Sequence, residues 1–166
     1  MTTENEILVL AWGNPGRLDD GLGPAFAEIA AGWDLEGLTV DSDYQLTVED
    51  ADRVSRFRRV VFVDADRTCA APFRVERIRA GKSGMAFSSH SVTPESVLAL
   101  ARDLFRSEPE AWLVGIRGHE FDEFGERLSR DGSANLQAAA AFLETSLRED
   151  RMRGTTPHET EKTHVG

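Results

Sequence analysis

Three short runs with almost no charge constrain this chain more than any other feature: residues 7–12, 60–63 and 111–116. Each is too brief for a helix and is bounded by turn or charged residues. Apolar side chains at every position mean that both faces of such a strand are buried, as in a parallel sheet covered on both sides. The segments between them carry helical spacing instead. Residues 23–31 put Phe26, Ile29 and Ala30 on one face and stop at Gly32. Thr47 and Asp50, three apart, read as a capping box that opens a helix continued by Val54 and Phe57. Thr93 followed by Pro94 starts a helix over residues 94–105, with Val97, Leu98, Ala101 and Leu104 as its apolar face. Ser129 is the expected N-cap of a last helix over residues 130–147, whose buried stripe is Leu136, Ala139, Ala140, Leu143 and Leu147.

Two weaker strands complete the order. Residues 38–40 begin one, and residues 73–78 alternate apolar and charged, the pattern of a half-exposed edge strand. Strand, helix, strand, helix, strand, strand, helix, strand, helix predicts an α/β fold. The expected architecture is a three-layer αβα sandwich with a mostly parallel central sheet, in a single domain over residues 1–149. Residues 150–166 lack periodicity and are expected to form a disordered tail. His158 and His164 belong to that tail and are given no role.

Composition narrows the function. With 166 residues, 40% hydrophobic and 29% charged, the chain has the make-up of a soluble globular domain. A formal charge of −10 argues against a nucleic-acid partner, whose phosphates would be repelled. The single cysteine, Cys69, excludes a disulfide framework, a thiolate zinc site and an iron–sulfur cluster. Cys69 lies among small residues with no histidine near it in sequence, and is read as a passive thiol. The acidic start has no basic region ahead of an apolar core, so no signal peptide is expected, and no run is long enough to span a membrane. The expected location is the cytoplasm, and nothing demands more than a monomer.

The chemistry collects at strand ends. The first strand breaks at Gly13-Asn14-Pro15-Gly16, and Asp19 and Asp20 follow before the next helix. Two readings of this pair stand open: a cap on that helix, or a site at the carboxyl edge of the sheet, where open α/β folds place their ligands. Asp64 closes the run at residues 60–63 and is expected on the same edge, beside the first strand. His90 sits in a Gly/Ser-rich loop just ahead of the helix at Pro94, either as a surface residue or within reach of that edge. Asp20, Asp64 and His90 would form a ligand set suited to a divalent ion such as zinc, manganese, nickel or iron. A Gly-x-Ser-x-Gly elbow, a Gly-Lys-Ser/Thr phosphate loop and a Gly-x-Gly-x-x-Gly fingerprint are all missing after the first strand.

Strand one followed by Gly-Asn-Pro-x-x-x-Asp-Asp-Gly-x-Gly-Pro resembles the opening of the [NiFe]-hydrogenase maturation endopeptidases. These remove the C-terminal extension of the hydrogenase large subunit once nickel is in place. The resemblance implies that Asp20, Asp64 and His90 are the metal-contacting and catalytic positions, with Asp19 a supporting group behind them. It further implies an aspartic-type hydrolase with no tightly held metal of its own, whose nickel arrives bound in the large-subunit precursor. Asp43-Tyr44-Gln45-Leu46-Thr47-Val48-Glu49-Asp50-Ala51 is similar to a segment of the members serving NAD-linked bidirectional hydrogenases. Leu18, where glycine is commoner, and Trp12, where a small residue is, depart from the pattern. They are expected to stiffen the turn and narrow the cleft. A general zinc peptidase and a non-cutting nickel checkpoint are the alternatives.

Overall fold

The computed structural model describes residues 6–82 and 92–155. Five strands form one sheet: β1 (Ile7–Trp12), β2 (Leu38–Asp43), β3 (Arg59–Asp66), β4 (Phe73–Ile78) and β5 (Glu110–Arg117). Their spatial order is β2-β1-β3-β5-β4. All pairings are parallel except β4 with β5. Four helices cover the faces: α1 (Leu22–Ala31), α2 (Asp50–Val54), α3 (Pro94–Phe105) and α4 (Arg130–Arg148). Parallel neighbours need a crossover, and a helix is the usual way to make one. This is the α/β sandwich expected from the alternation of elements.

The period of two along the central strands explains why their runs are apolar throughout. Ile7, Val9, Ala11, Val61 and Val63 face one core with α1 and α4. Leu8, Leu10, Val60 and Phe62 face the other with α2 and α3. Both sets are buried, so neither face tolerates a charge. The chain leaves β1 for β2 on one side and returns to β3 on the other. The gap beyond the carboxyl ends of β1 and β3 is therefore the switch point of the sheet.

Local signals mostly survive, with instructive exceptions. Thr93 caps α3 in a full box: its hydroxyl accepts from the Ser96 amide at 3.1 Å, and the Ser96 hydroxyl accepts from the Thr93 amide at 2.9 Å. A Thr93→Ala variant should lose about 1 kcal/mol of stability, read as a shift in the urea midpoint at unchanged slope. Ser129 caps α4 through Gly132 at 3.0 Å, and all five residues of the expected stripe are buried. At α2 only half of the expected box forms. The Asp50 carboxylate reaches back to the Thr47 amide at 2.9 Å, yet the regular helix begins only at Asp50. Leu104 is a correction. It lies seven residues beyond Val97 on the same face, but is 61% exposed, so the buried stripe of α3 stops before its last turn.

The chain beyond α4 is not idle over its described part. Asp150 pairs with the buried Arg59 at 2.9 Å, and Met152 packs on the α1/α4 core. Thr155 exchanges two hydrogen bonds with Val75, at 2.7 and 2.8 Å, along the outer side of β4. Residues 150–155 hold no helix or strand, as their composition suggests, but they strap the sheet edge. The rest of the expected tail, with His158 and His164, lies outside the described residues. Among the described residues no helix is long and apolar enough to cross a membrane.

Candidate active site

The site turn begins where β1 stops. Gly13 has φ +146°, and a Cβ there would fall 2.0 Å from the Asp20 carbonyl oxygen, so only glycine lets the turn fold back on itself. Asn14 donates its amide to Asp20 Oδ2 at 2.8 Å, and its own Oδ1 accepts from the Gly16 amide at 2.8 Å. A single 3-10 turn, Leu18–Gly21, then carries both aspartates into α1. Neither Asp19 nor Asp20 caps α1, whose N-cap is Gly21 with no side-chain bond. The capping reading therefore fails. Leu18 sits at φ +52°, a left-handed geometry that costs a branched residue roughly 1–2 kcal/mol and that glycine would adopt freely. Burial of its side chain against Gly125 offsets that cost.

The two adjacent aspartates have unlike fates. Asp20 is half-buried, and its charge reaches Asp64. Asp19 is fully buried. Its carboxylate accepts from the amides of His119 (2.7 Å), Glu120 (3.1 Å) and Ser129 (2.7 Å), and from the Ser129 hydroxyl at 2.6 Å. Burial works to push its carboxyl up, but these hydrogen bonds outweigh it and hold Asp19 below the usual range. A Cβ on Gly132 would come within 2.8 Å of both Asp19 oxygens, so glycine there makes room for the carboxylate at the start of α4. Asp19 thus fastens the long charged segment between β5 and α4 to the site turn. Leu18 and Gly16 reinforce the seam by exchanging backbone bonds with Gly125 at 3.0 and 2.8 Å.

Asp64 stands near the end of β3, one step past the Ala11–Val63 pairing with β1. Its carboxyl is pushed up to about 7. Burial is the main cause, resisted by a hydrogen bond from the Ala65 amide at 2.8 Å. The neighbouring Asp20 and Asp66 charges raise it further, and a bond from the Trp12 side chain lowers it slightly. Trp12 itself packs edge-on against Phe62, at 6.2 Å between ring centroids. Asp66 is the contrast on the same strand. Despite its burial, Arg74 at 2.6 Å and the amides of Thr68 and Cys69 hold it down at about 2. One carboxylate on this edge is fully compensated, and another is not.

Asp20 lies near enough to Asp64 for its charge to raise the Asp64 carboxyl. His90 lies outside the described residues. Val92, two positions later, packs in the same core cluster as Trp12. Among the described residues no group of three His, Cys, Asp or Glu side chains is placed to hold a metal ion. Cys69 is half-buried, its thiol 3.7 Å from the Gly115 carbonyl, and burial pushes its pKa up, which suits a passive group. The role of Asp19 had no signal in the spacing, because its partners stand about a hundred residues along the chain.

The fold has close counterparts among solved structures. The hydrogenase maturating endopeptidase HybD from E. coli superposes with a TM-score of 0.69 at 19% identity, covering 92% of this chain and 98% of that one. The [NiFe] hydrogenase maturation protease HycI from Thermococcus kodakarensis KOD1 gives 0.65 at 19%, covering 87% and 94%. The hydrogenase 2 maturation peptidase from Thaumarchaeota archaeon SCGC_AB-539-E09 gives 0.63 at 18%, covering 86% and 97%. At these identities the likeness defines a shared fold over nearly the whole of each chain. No protein-family profile matches the sequence, and no curated protein matches it.

Proposed function

We propose that this chain is a hydrogenase maturation endopeptidase, which removes the C-terminal extension of a [NiFe]-hydrogenase large-subunit precursor after nickel insertion. The observation that carries the reading is the half-buried pair Asp20–Asp64 by the switch point, where the Asp20 charge acts on a carboxyl already raised by burial. Burial is the main cause of the raised Asp64 carboxyl, at about 7, and repulsion by the Asp20 charge adds to it. A divalent ion delivered by another protein would relieve that repulsion and find two hard oxygen donors already placed. His90, which precedes α3 in the sequence, is the proposed third contact. The fold shared with the maturation proteases supports the same conclusion.

In this reading the nickel belongs to the substrate. Asp20 and Asp64 engage it and so fix the scissile peptide relative to the cleft, which converts recognition of the loaded precursor into positioning. Water attacks the carbonyl carbon of the scissile bond and loses a proton to a carboxylate. The C–N bond then breaks, and the departing amine takes up a proton. Asp64, poised near neutral pH, is the group suited to hold and return that proton. The serving of NAD-linked hydrogenases, a cytoplasmic location and a monomeric state are parts of the same proposal.

Asp20→Ala and His90→Ala variants test the assignment. Each should keep the wild-type circular dichroism and melting temperature, and each should lose processing of nickel-loaded precursor by roughly 10²–10⁴-fold. Wild-type processing by either variant would remove that residue from the machinery. Purified protein that carries one zinc per chain would point instead to an independent peptidase.

A further inference from the structure

A groove runs along the back of the site turn, from Tyr44 past Ser42, Pro15 and Pro24 to Leu128. Its wall is the turn itself: Gly13 lines one end and Gly21, the residue after Asp20, lines the middle. Tyr44 is 68% exposed, a large aromatic surface left at the end of β2. The strand beside it is an edge: β2 pairs only with β1 among the described residues, and although the amides of Leu38, Ser42 and Tyr44 are bonded locally, to Leu35, Asp41 and Asp43, no second strand covers its outer side. The floor is small or apolar and the rim is acidic. Glu28, Asp43 and Glu126 line the groove, and none of them forms an ion pair among the described residues. The Asp43 carboxylate accepts the Tyr44 amide, and the rim's cation, Arg127, already leans toward Glu123 at 4.0 Å.

We propose that this groove seats an extended stretch of polypeptide bearing lysine or arginine side chains, lying along the rim carboxylates with Tyr44 as its apolar stop. An extended chain suits it because the groove follows the uncovered edge of β2 and its floor offers shallow apolar contact to alternate side chains. Basic residues suit it because three unpaired carboxylates, on a chain of net charge −10, attract cations and repel acidic segments. That the peptide is the part of the precursor next to the cut rests on the proposed function, since the groove's wall and the Asp20 turn are one structure.

The test uses two fluorescein-labelled peptides of about ten residues, long enough to span the groove. One alternates arginine with valine, and the other has glutamate in place of arginine. In fluorescence anisotropy the arginine peptide should bind the full-length protein saturably and the glutamate peptide should not. A Glu28→Lys/Glu126→Lys double variant should weaken binding at least about tenfold, and Ser42→Trp, which fills the groove without changing charge, should do the same. Absence of saturable binding, binding that ignores both variants, or self-association of the chain that shuts the peptide out would each overturn the proposal. A protein that binds the arginine peptide but never shortens the precursor contradicts the protease reading and leaves the groove standing. Processing without peptide binding does the reverse.

Discussion

An Asp64→Asn variant should be at once inactive and more stable than the wild type. The amide keeps the shape of the side chain and can still accept from the Ala65 N–H through its oxygen. What it loses is a negative charge that the folded protein holds at a cost. The sign follows from the direction of the shift. The folded value of about 7 lies above the ordinary aspartate value, so ionisation disfavours the fold progressively as pH rises from about 4 to 7. Asparagine has no such penalty, and a gain on the order of 1 kcal/mol or more at pH 8 is expected, shrinking toward zero near pH 4. Processing of the nickel-loaded precursor should fall by roughly 10²–10⁴-fold, because the variant can neither bind the ion as an anion nor exchange a proton. Parallel urea melts at pH 4 and pH 8, with a precursor-shortening assay, check both halves. A destabilised variant would mean that the Asp64 charge is compensated after all, and a fully active one would mean that it does not touch the chemistry.

Asp19→Ala should have the opposite signature, a loss of stability that drags activity down with it. The substitution removes the acceptor of four hydrogen bonds from a site with no exposure to water. Three backbone amides and one hydroxyl would be left without their partner. Each unsatisfied donor costs about 1–3 kcal/mol in isolation, and they share one carboxylate, so the total is about 4 kcal/mol rather than their sum. For a domain whose whole margin is roughly 5–15 kcal/mol, that is a large fraction. The effect has a pH dependence of definite sign. Asp19 is held below its ordinary value, so its contribution is present above about pH 4 and is lost as pH falls through the lower, folded value. The difference in urea midpoint between wild type and variant should therefore narrow on acidification. A variant that melts within 1 kcal/mol of the wild type would refute the anchoring role.

How much of this was legible beforehand depended on whether the signal was local. The Thr93–Pro94 start, the Ser129 cap and the stripe of α4 are interactions within three or four residues, and the chain spells them out. The doubly apolar runs also announce burial on both faces, and with it a parallel sheet. Asp64 could be placed on the active edge because a strand's end is readable and β3 proved to be a neighbour of β1. The anchoring of Asp19 to the segment after β5 was not readable from the spacing. Adjacent residues in a 3-10 turn point in different directions, and which of them is buried depends on a segment about a hundred positions away that brings amides to one side of the turn. Spacing alone grouped the pair and only the resemblance set Asp19 behind Asp20, whereas packing splits it into one fully buried and one half-buried carboxylate. The strap at residues 150–155 was missed for a similar reason: Asp150 and Thr155 are ordinary polar residues whose partners, Arg59 and Val75, are supplied by the folded sheet.

The central claim is that this protein reads a metal carried by another protein and then cuts that protein. The most direct measurement is the intact mass of a hydrogenase large-subunit precursor after incubation with the purified chain, in nickel-loaded and nickel-free forms side by side. The account predicts that the loaded precursor loses its C-terminal extension as a single fragment while the nickel-free form keeps its full mass. An unchanged loaded precursor, or equal shortening of both forms, would contradict it.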